Sequence, residues 1–254
     1  MTFILPHLQG PLLAFLLTFA RVGAMIMLLP VLGDAGVPAR VRLAFALAVS
    51  FALAPTMAKF FPATPPPTLE LAVLIAREVT AGVLIGTMAR LIMSALQVAG
   101  TVIATQTGLA FAQTFDPSQN QQSALIGTFL SLLGVILVFE TGMHHLIIGA
   151  ISGSYDLLPP GGAFPTGDMA ELVVGIVSGA FALGLQLAAP FLVFGFLIYA
   201  ALGVVSRLMP QLQVFFIAMP LNILVGFILL MLFVGVMSAM FLDYFADQMG
   251  RFQG

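Results

Sequence analysis

The chain has 254 residues, of which 61% are hydrophobic and 7% charged, and its mean hydropathy is +1.14. Soluble domains carry roughly 25% charged residues, so this composition excludes a water-facing globule and places the chain in lipid or inside an apolar assembly. A formal net charge of −2 from few ionisable groups points to no nucleic-acid partner, and zero cysteines exclude disulfides, thiolate metal sites and cysteine nucleophiles.

Apolar stretches cover residues 11–32, 41–57, 69–104, 124–151, 169–205 and 212–242. None shows the ten-residue apolar and polar alternation of a barrel strand, so the predicted fold class is all-α, a membrane-type helical protein organised as one domain over residues 1–254. The first stretch has no basic residue ahead of it and carries Arg21 in its middle, so it reads as a retained helix and not as a secretory signal. Gly33-Asp34-Ala35-Gly36-Val37-Pro38 ends it, Arg40 and Arg42 open the second, and the Pro-rich run 62–67 closes that one. The third and fifth stretches, about 36 residues each, are too long for one simple span of roughly 20 residues and too short for two. Such helices protrude, bend or fold back inside protein, with Gly82, Gly100, Gly184 and Pro190 as candidate break points. Arg40, Arg42 and Arg207 against Lys59 and Arg251 set no orientation.

Charges inside apolar stretches are costly unless paired or facing a wet interior, and Arg21, Arg77, Glu78, Arg90 and Glu140 are of this kind. Glu78, Gly82, Gly86 and Arg90 recur every four residues and form one gently winding stripe. It should face another helix, and close packing between helices or subunits is favoured over a polar pathway. Glu140 and His144, one turn apart on a helix, can meet as a pair beside His145; a proton relay or metal site is the weaker reading, because a third ligand is missing. No Gly-x-Ser-x-Gly elbow and no glycine-rich phosphate loop occurs, so neither an enzyme nor a cofactor is expected.

The most unusual segment is Gln106-Thr107-Gly108-Leu109-Ala110-Phe111-Ala112-Gln113-Thr114-Phe115-Asp116-Pro117, followed by an uncharged polar run. Two aromatic rings in a glycine- and amide-rich connection between apolar helices suit occlusion of a lumen, but composition alone favours simple anchoring on neighbouring helices.

Three blocks resemble the FliR family of flagellar export-gate proteins and their injectisome relatives. They are Phe19-Ala20-Arg21-Val22-Gly23 through Gly36-Val37-Pro38-Ala39-Arg40-Val41-Arg42, the segment 106–117, and Ser206-Arg207-Leu208-Met209-Pro210-Gln211-Leu212-Gln213-Val214-Phe215-Phe216. The Glu140-Thr141-Gly142-Met143-His144 run departs from the Asn-Gly-His more usual there. The resemblance implies a non-enzymatic subunit of an export gate in the bacterial inner membrane at the flagellar basal body, with the assembled gate partly on the periplasmic side. It implies FliP-like and FliQ-like partners, FlhB-like and FlhA-like export proteins beside them, and exported rod, hook and filament proteins as cargo. It places a channel plug on Gly108, Leu109, Phe111, Phe115, Asp116 and Pro117, and an entrance turn on Arg207, Pro210 and Gln211. The residues themselves leave two competing functions open, a secondary transporter of a small solute and an intramembrane hydrolase using Glu140, His144 or His145.

Overall fold

A computed structural model of the protein describes residues 5–30, 32–33, 36–111, 124–162, 166–209 and 214–252. Seven α-helices occur among them: α1 (Leu5–Ile26), α2 (Ala39–Met57), α3 (Thr68–Gln106), α4 (Ala124–Glu140), α5 (His144–Leu157), α6 (Thr166–Leu208) and α7 (Val214–Gly250). Single 3-10 turns cover Ala58–Phe60 and Leu109–Phe111, and the described residues contain no strand. A chain surrounded by hydrocarbon must satisfy its backbone polar groups internally, and the helix does this within one segment. Side-chain hydroxyls obey the same demand: Thr80, Thr101 and Thr105 donate to the carbonyls of Ala76, Gln97 and Thr101 one turn back, at 2.7, 2.9 and 2.8 Å. Polar residues are thereby carried along apolar helices without interrupting them.

Proline and glycine set the starts and stops. Pro38, at φ −57° and ψ 139°, precedes α2 and its carbonyl accepts from the Val41 amide at 2.9 Å. Pro67 does the same for α3, accepting from Leu71 at 3.0 Å. Gly142, at φ 73°, breaks the chain between α4 and α5 in a conformation that a side chain would strain. Of the forms open to the two long stretches, the continuous overlong helix is the one that occurs: α3 has 39 residues and α6 has 43. Gly82, Gly100, Gly184 and Pro190 all lie inside these helices and do not break them.

The chain divides into two compact units, residues 1–92 with 141–176 and 246–254, and residues 93–140 with 177–245. In the first unit α1 packs against α2 through Ala46, Ser50, Ala54 and Met57, the small or flexible residues on the one buried stripe of α2. Leu17, Val22 and Met25 of α1 and Ile85 and Met88 of α3 are fully buried in the same unit. In the second unit the later part of α3 is the axis, and glycines bring the other helices onto it. A Cβ on Gly100 would collide with the Cα of Gly127 in α4, and one on Gly184 of α6 would lie 2.9 Å from the Ala95 carbonyl oxygen. Here the sequence reading is corrected: Gly100 and Gly184 are contact notches between helices, not hinges, because the close approach they permit outweighs the roughly 1 kcal/mol a glycine costs a helix interior. Across the α3 and α4 contact, Ser131 Oγ donates to Gln97 Oε1 at 3.1 Å.

Candidate functional site

Arg21 organises the first unit. Its Nε donates to Glu78 Oε2 at 2.8 Å and its Nη2 to Glu78 Oε1 at 2.9 Å, a two-point grip with both side chains 1% exposed. Nη2 also donates to the Leu158 carbonyl and Nη1 to Ser154 Oγ, both at 2.9 Å, and the guanidinium lies 3.7 Å from the Tyr155 ring centroid. Four N–H groups of this cation therefore meet acceptors and one face of its plane meets a π cloud, the condition under which a buried charge is tolerated. The void beside it, about 10 Å³, is at the lower limit for one water. Next to it Arg77 Nη1 donates to the Gly162 carbonyl at 2.8 Å.

Glu78, Gly82 and Gly86 all face α1. A Cβ on Gly82 would overlap the Arg21 carbonyl oxygen, and one on Gly86 would lie 2.8 Å from that of Met25. The matching four-residue steps show α1 and α3 running side by side in one direction here. Arg90 is exposed, one turn beyond the point where α3 passes the end of α1 at Ile26. The expected pairing on one helix of Glu140 with His144 has no continuous helix to stand on, since α4 ends at the first and α5 begins at the second. His145 Nδ1 lies 2.9 Å from the Gly142 carbonyl oxygen in that turn. Sequence reasoning missed Ser154, Tyr155 and the Leu158 carbonyl as partners of Arg21. They follow the apolar stretch by several residues, and only the need of an intramembrane arginine for company could have suggested them.

In the second unit, the end of α3 leads into the Gly-Leu-Ala-Phe segment. Thr107 continues the helical pattern, its amide and Oγ1 both donating to the Ile103 carbonyl at 2.9 Å, and Gly108 then takes φ 80°. Asn222 of α7 donates from Nδ2 to the Gln106 carbonyl at 3.3 Å, satisfying an acceptor left over at the helix end. Gly226 of α7 lets the Thr107 methyl approach, a contact that any Cβ there would close. Leu109 then lines an apolar cleft of about 460 Å³ with Leu125, Phe129, Phe227 and Met231, so the residues flanking 112–123 on either side share one wall. Phe111 ends the 3-10 turn, while Phe115, Asp116 and Pro117 lie outside the described residues. Arg207 is exposed in the last turn of α6, and Pro210 and Gln211 also lie outside the described residues.

A sequence model of the family described as bacterial export proteins, family 1, matches residues 12–248. The chain belongs to this family of bacterial export proteins. It is 42% identical to the flagellar biosynthetic protein FliR of Caulobacter vibrioides over 93% of this chain and 94% of the relative. The Bacillus subtilis flagellar biosynthetic protein FliR is 32% identical over 92% and 90%. The Yop proteins translocation protein T of Yersinia pestis is 30% identical over 89% and 87%. This bacterial export protein is a component of the type III export apparatus, and the FliR-family resemblance of its sequence blocks extends along nearly its whole length. Four of its helices are long and apolar enough to cross a membrane, or five if α4 and α5 count as one broken span.

Proposed function

We propose that this export protein is one subunit of a gate through which unfolded flagellar proteins leave the cell, completed by FliP-like and FliQ-like subunits in the inner membrane at the basal body. FlhB-like and FlhA-like proteins are its neighbours there, and rod, hook and filament proteins its cargo. The subunit catalyses no reaction. Its two compact units act as parts of one export-gate domain. Segment 108–117 stoppers the passage, Phe111 and Phe115 supply the rings that exclude water and ions, and Arg207, Pro210 and Gln211 shape a turn at the entrance.

The observation that carries this reading is the end of α3. A long helix stops at a left-handed glycine, the next residue, Leu109, lines a cleft whose described lining is apolar, and the aromatic segment follows directly in the chain. Weak apolar contacts of this kind hold a pore dry yet yield to an arriving chain. The surface supports assembly too: in their most apolar stretches α6 and α7 are each 17% buried, against 56% for α3, so their faces are left for lipid or sister subunits.

Replacing Phe111 and Phe115 together with glycine, or deleting 108–117, should raise ion conductance through the assembled complex several-fold in planar bilayers. Conductance equal to wild type in both variants, with the complex intact, would remove the plug assignment.

A further inference from the structure

A second cleft, in the first unit, lies where two apolar helices run out. It encloses about 370 Å³ and is lined by Thr56, Lys59, Phe60, Ser152, Gly153 and Asp156 among others. Unlike the cleft at Leu109, it combines one cation, one anion and two hydroxyls with an aromatic wall. Lys59 follows the end of α2 and Asp156 stands in the last turn of α5, so each charge lies at the end of an apolar helix, the kind of position at which side chains of membrane proteins meet headgroups. Both are exposed, and neither has an ion-pair partner among the described residues. The aromatic wall of the cleft is held in place: Phe60 stacks on Tyr155 at 5.4 Å, and Tyr155 in turn covers the Arg21 guanidinium. The Lys59 ammonium lies 4.8 Å from the Phe60 ring centroid, over this fixed surface.

We propose that this cleft binds the zwitterionic phosphoethanolamine headgroup of a membrane phospholipid. Opposite charges set apart on a rigid wall, with hydroxyls beside them, complement a ligand that carries both signs, whereas a purely anionic headgroup would meet Asp156 unfavourably. Lys59 takes the phosphate with Thr56 donating beside it, Asp156 accepts from the ammonium, and Ser152, whose hydroxyl already donates to the Gly149 carbonyl at 2.8 Å, accepts from the ammonium too. The acyl chains then run along exposed apolar residues on the Thr56 face of α2 such as Phe45, three turns back and 43% exposed.

The test is native mass spectrometry of the particle in which the full chain purifies, extracted in mild detergent with equal amounts of phosphatidylethanolamine and phosphatidylglycerol. Wild type should retain phosphatidylethanolamine in preference. Asp156→Asn should bring the two lipids to equal retention, and Lys59→Gln should lower both by roughly fivefold, the weight of one basic side chain at a headgroup. Wild type alone supplies a check that needs no variant, since trimethylating the ammonium removes its donors and phosphatidylcholine should be held more weakly. Equal retention of all three lipids by wild type, or unchanged lipid ratios in both variants, overturns the proposal. So does loss of a co-purifying protein in the variants while the lipid stays.

Discussion

Arg21→Ala should destabilise the chain by about 3–5 kcal/mol, the cost of leaving one buried charge without its partner. Glu78, 1% exposed and gripped at both oxygens, would lose the cation that neutralises it and the donors to both oxygens at once. Glu78→Ala should cost a similar amount, for the mirror-image reason. The double variant Arg21→Met, Glu78→Gln should recover a large part of the loss, because no isolated charge remains. Thermal unfolding of the full chain in detergent measures all three. A loss under about 1 kcal/mol for both alanine variants, typical of solvated ion pairs, would show that the grip is not maintained. The pair joins α1 and α3, and Ser154 and Leu158 add α5 and its end, so its loss should loosen the whole first unit.

The second large effect is expected where α3 and α4 cross. Gly100→Val places a branched side chain against the Gly127 backbone, which has no side chain to swing aside. Overpacking of this kind costs about 1–3 kcal/mol where neighbours can adjust, and here the helices themselves would have to part. Gly127→Ala is the matched comparison. The three atoms nearest its new methyl all belong to the Gln97 side-chain amide, at 2.9 Å; this flexible group can rotate away at the cost of its bond from Ser131, which the gain in helix propensity offsets, so the variant should stay within about 1 kcal/mol of wild type. Unfolding midpoints in detergent rank the two, and equal midpoints would contradict the glycine contact.

Both sites show what was and was not legible in the sequence. Composition and stretch length were enough for the all-α membrane fold, because a low-charge chain in hydrocarbon has few alternatives. Arg21 and Glu78 stood out singly as charges in apolar stretches, but they are 57 residues apart, and nothing local fixes the register between α1 and α3. The stripe from Glu78 to Arg90 was visible as periodicity. That α1 covers only its first three members depends on where α1 ends, a tertiary fact. Gly100 and Gly184 invited reading as hinges because glycine weakens an isolated helix, and only a neighbouring backbone distinguishes a hinge from a notch. The Glu140 and His144 spacing assumed one helix, and Gly142 in a left-handed conformation interrupts it. At the candidate plug the aromatic and glycine pattern was plain, but its neighbours, Asn222, Gly226 and Phe227, come from more than a hundred residues downstream.

The proposed gate requires this chain to live among other subunits, with its long α6 and α7 faces covered by them or by lipid. The most direct measurement is affinity purification of the tagged chain from its own membranes, followed by mass determination of the intact particle. A particle much heavier than 26.8 kDa that carries small helical export proteins is the expected result. A monodisperse monomer, stable alone in detergent and moving a small solute across liposomes, would contradict the account and favour a secondary transporter.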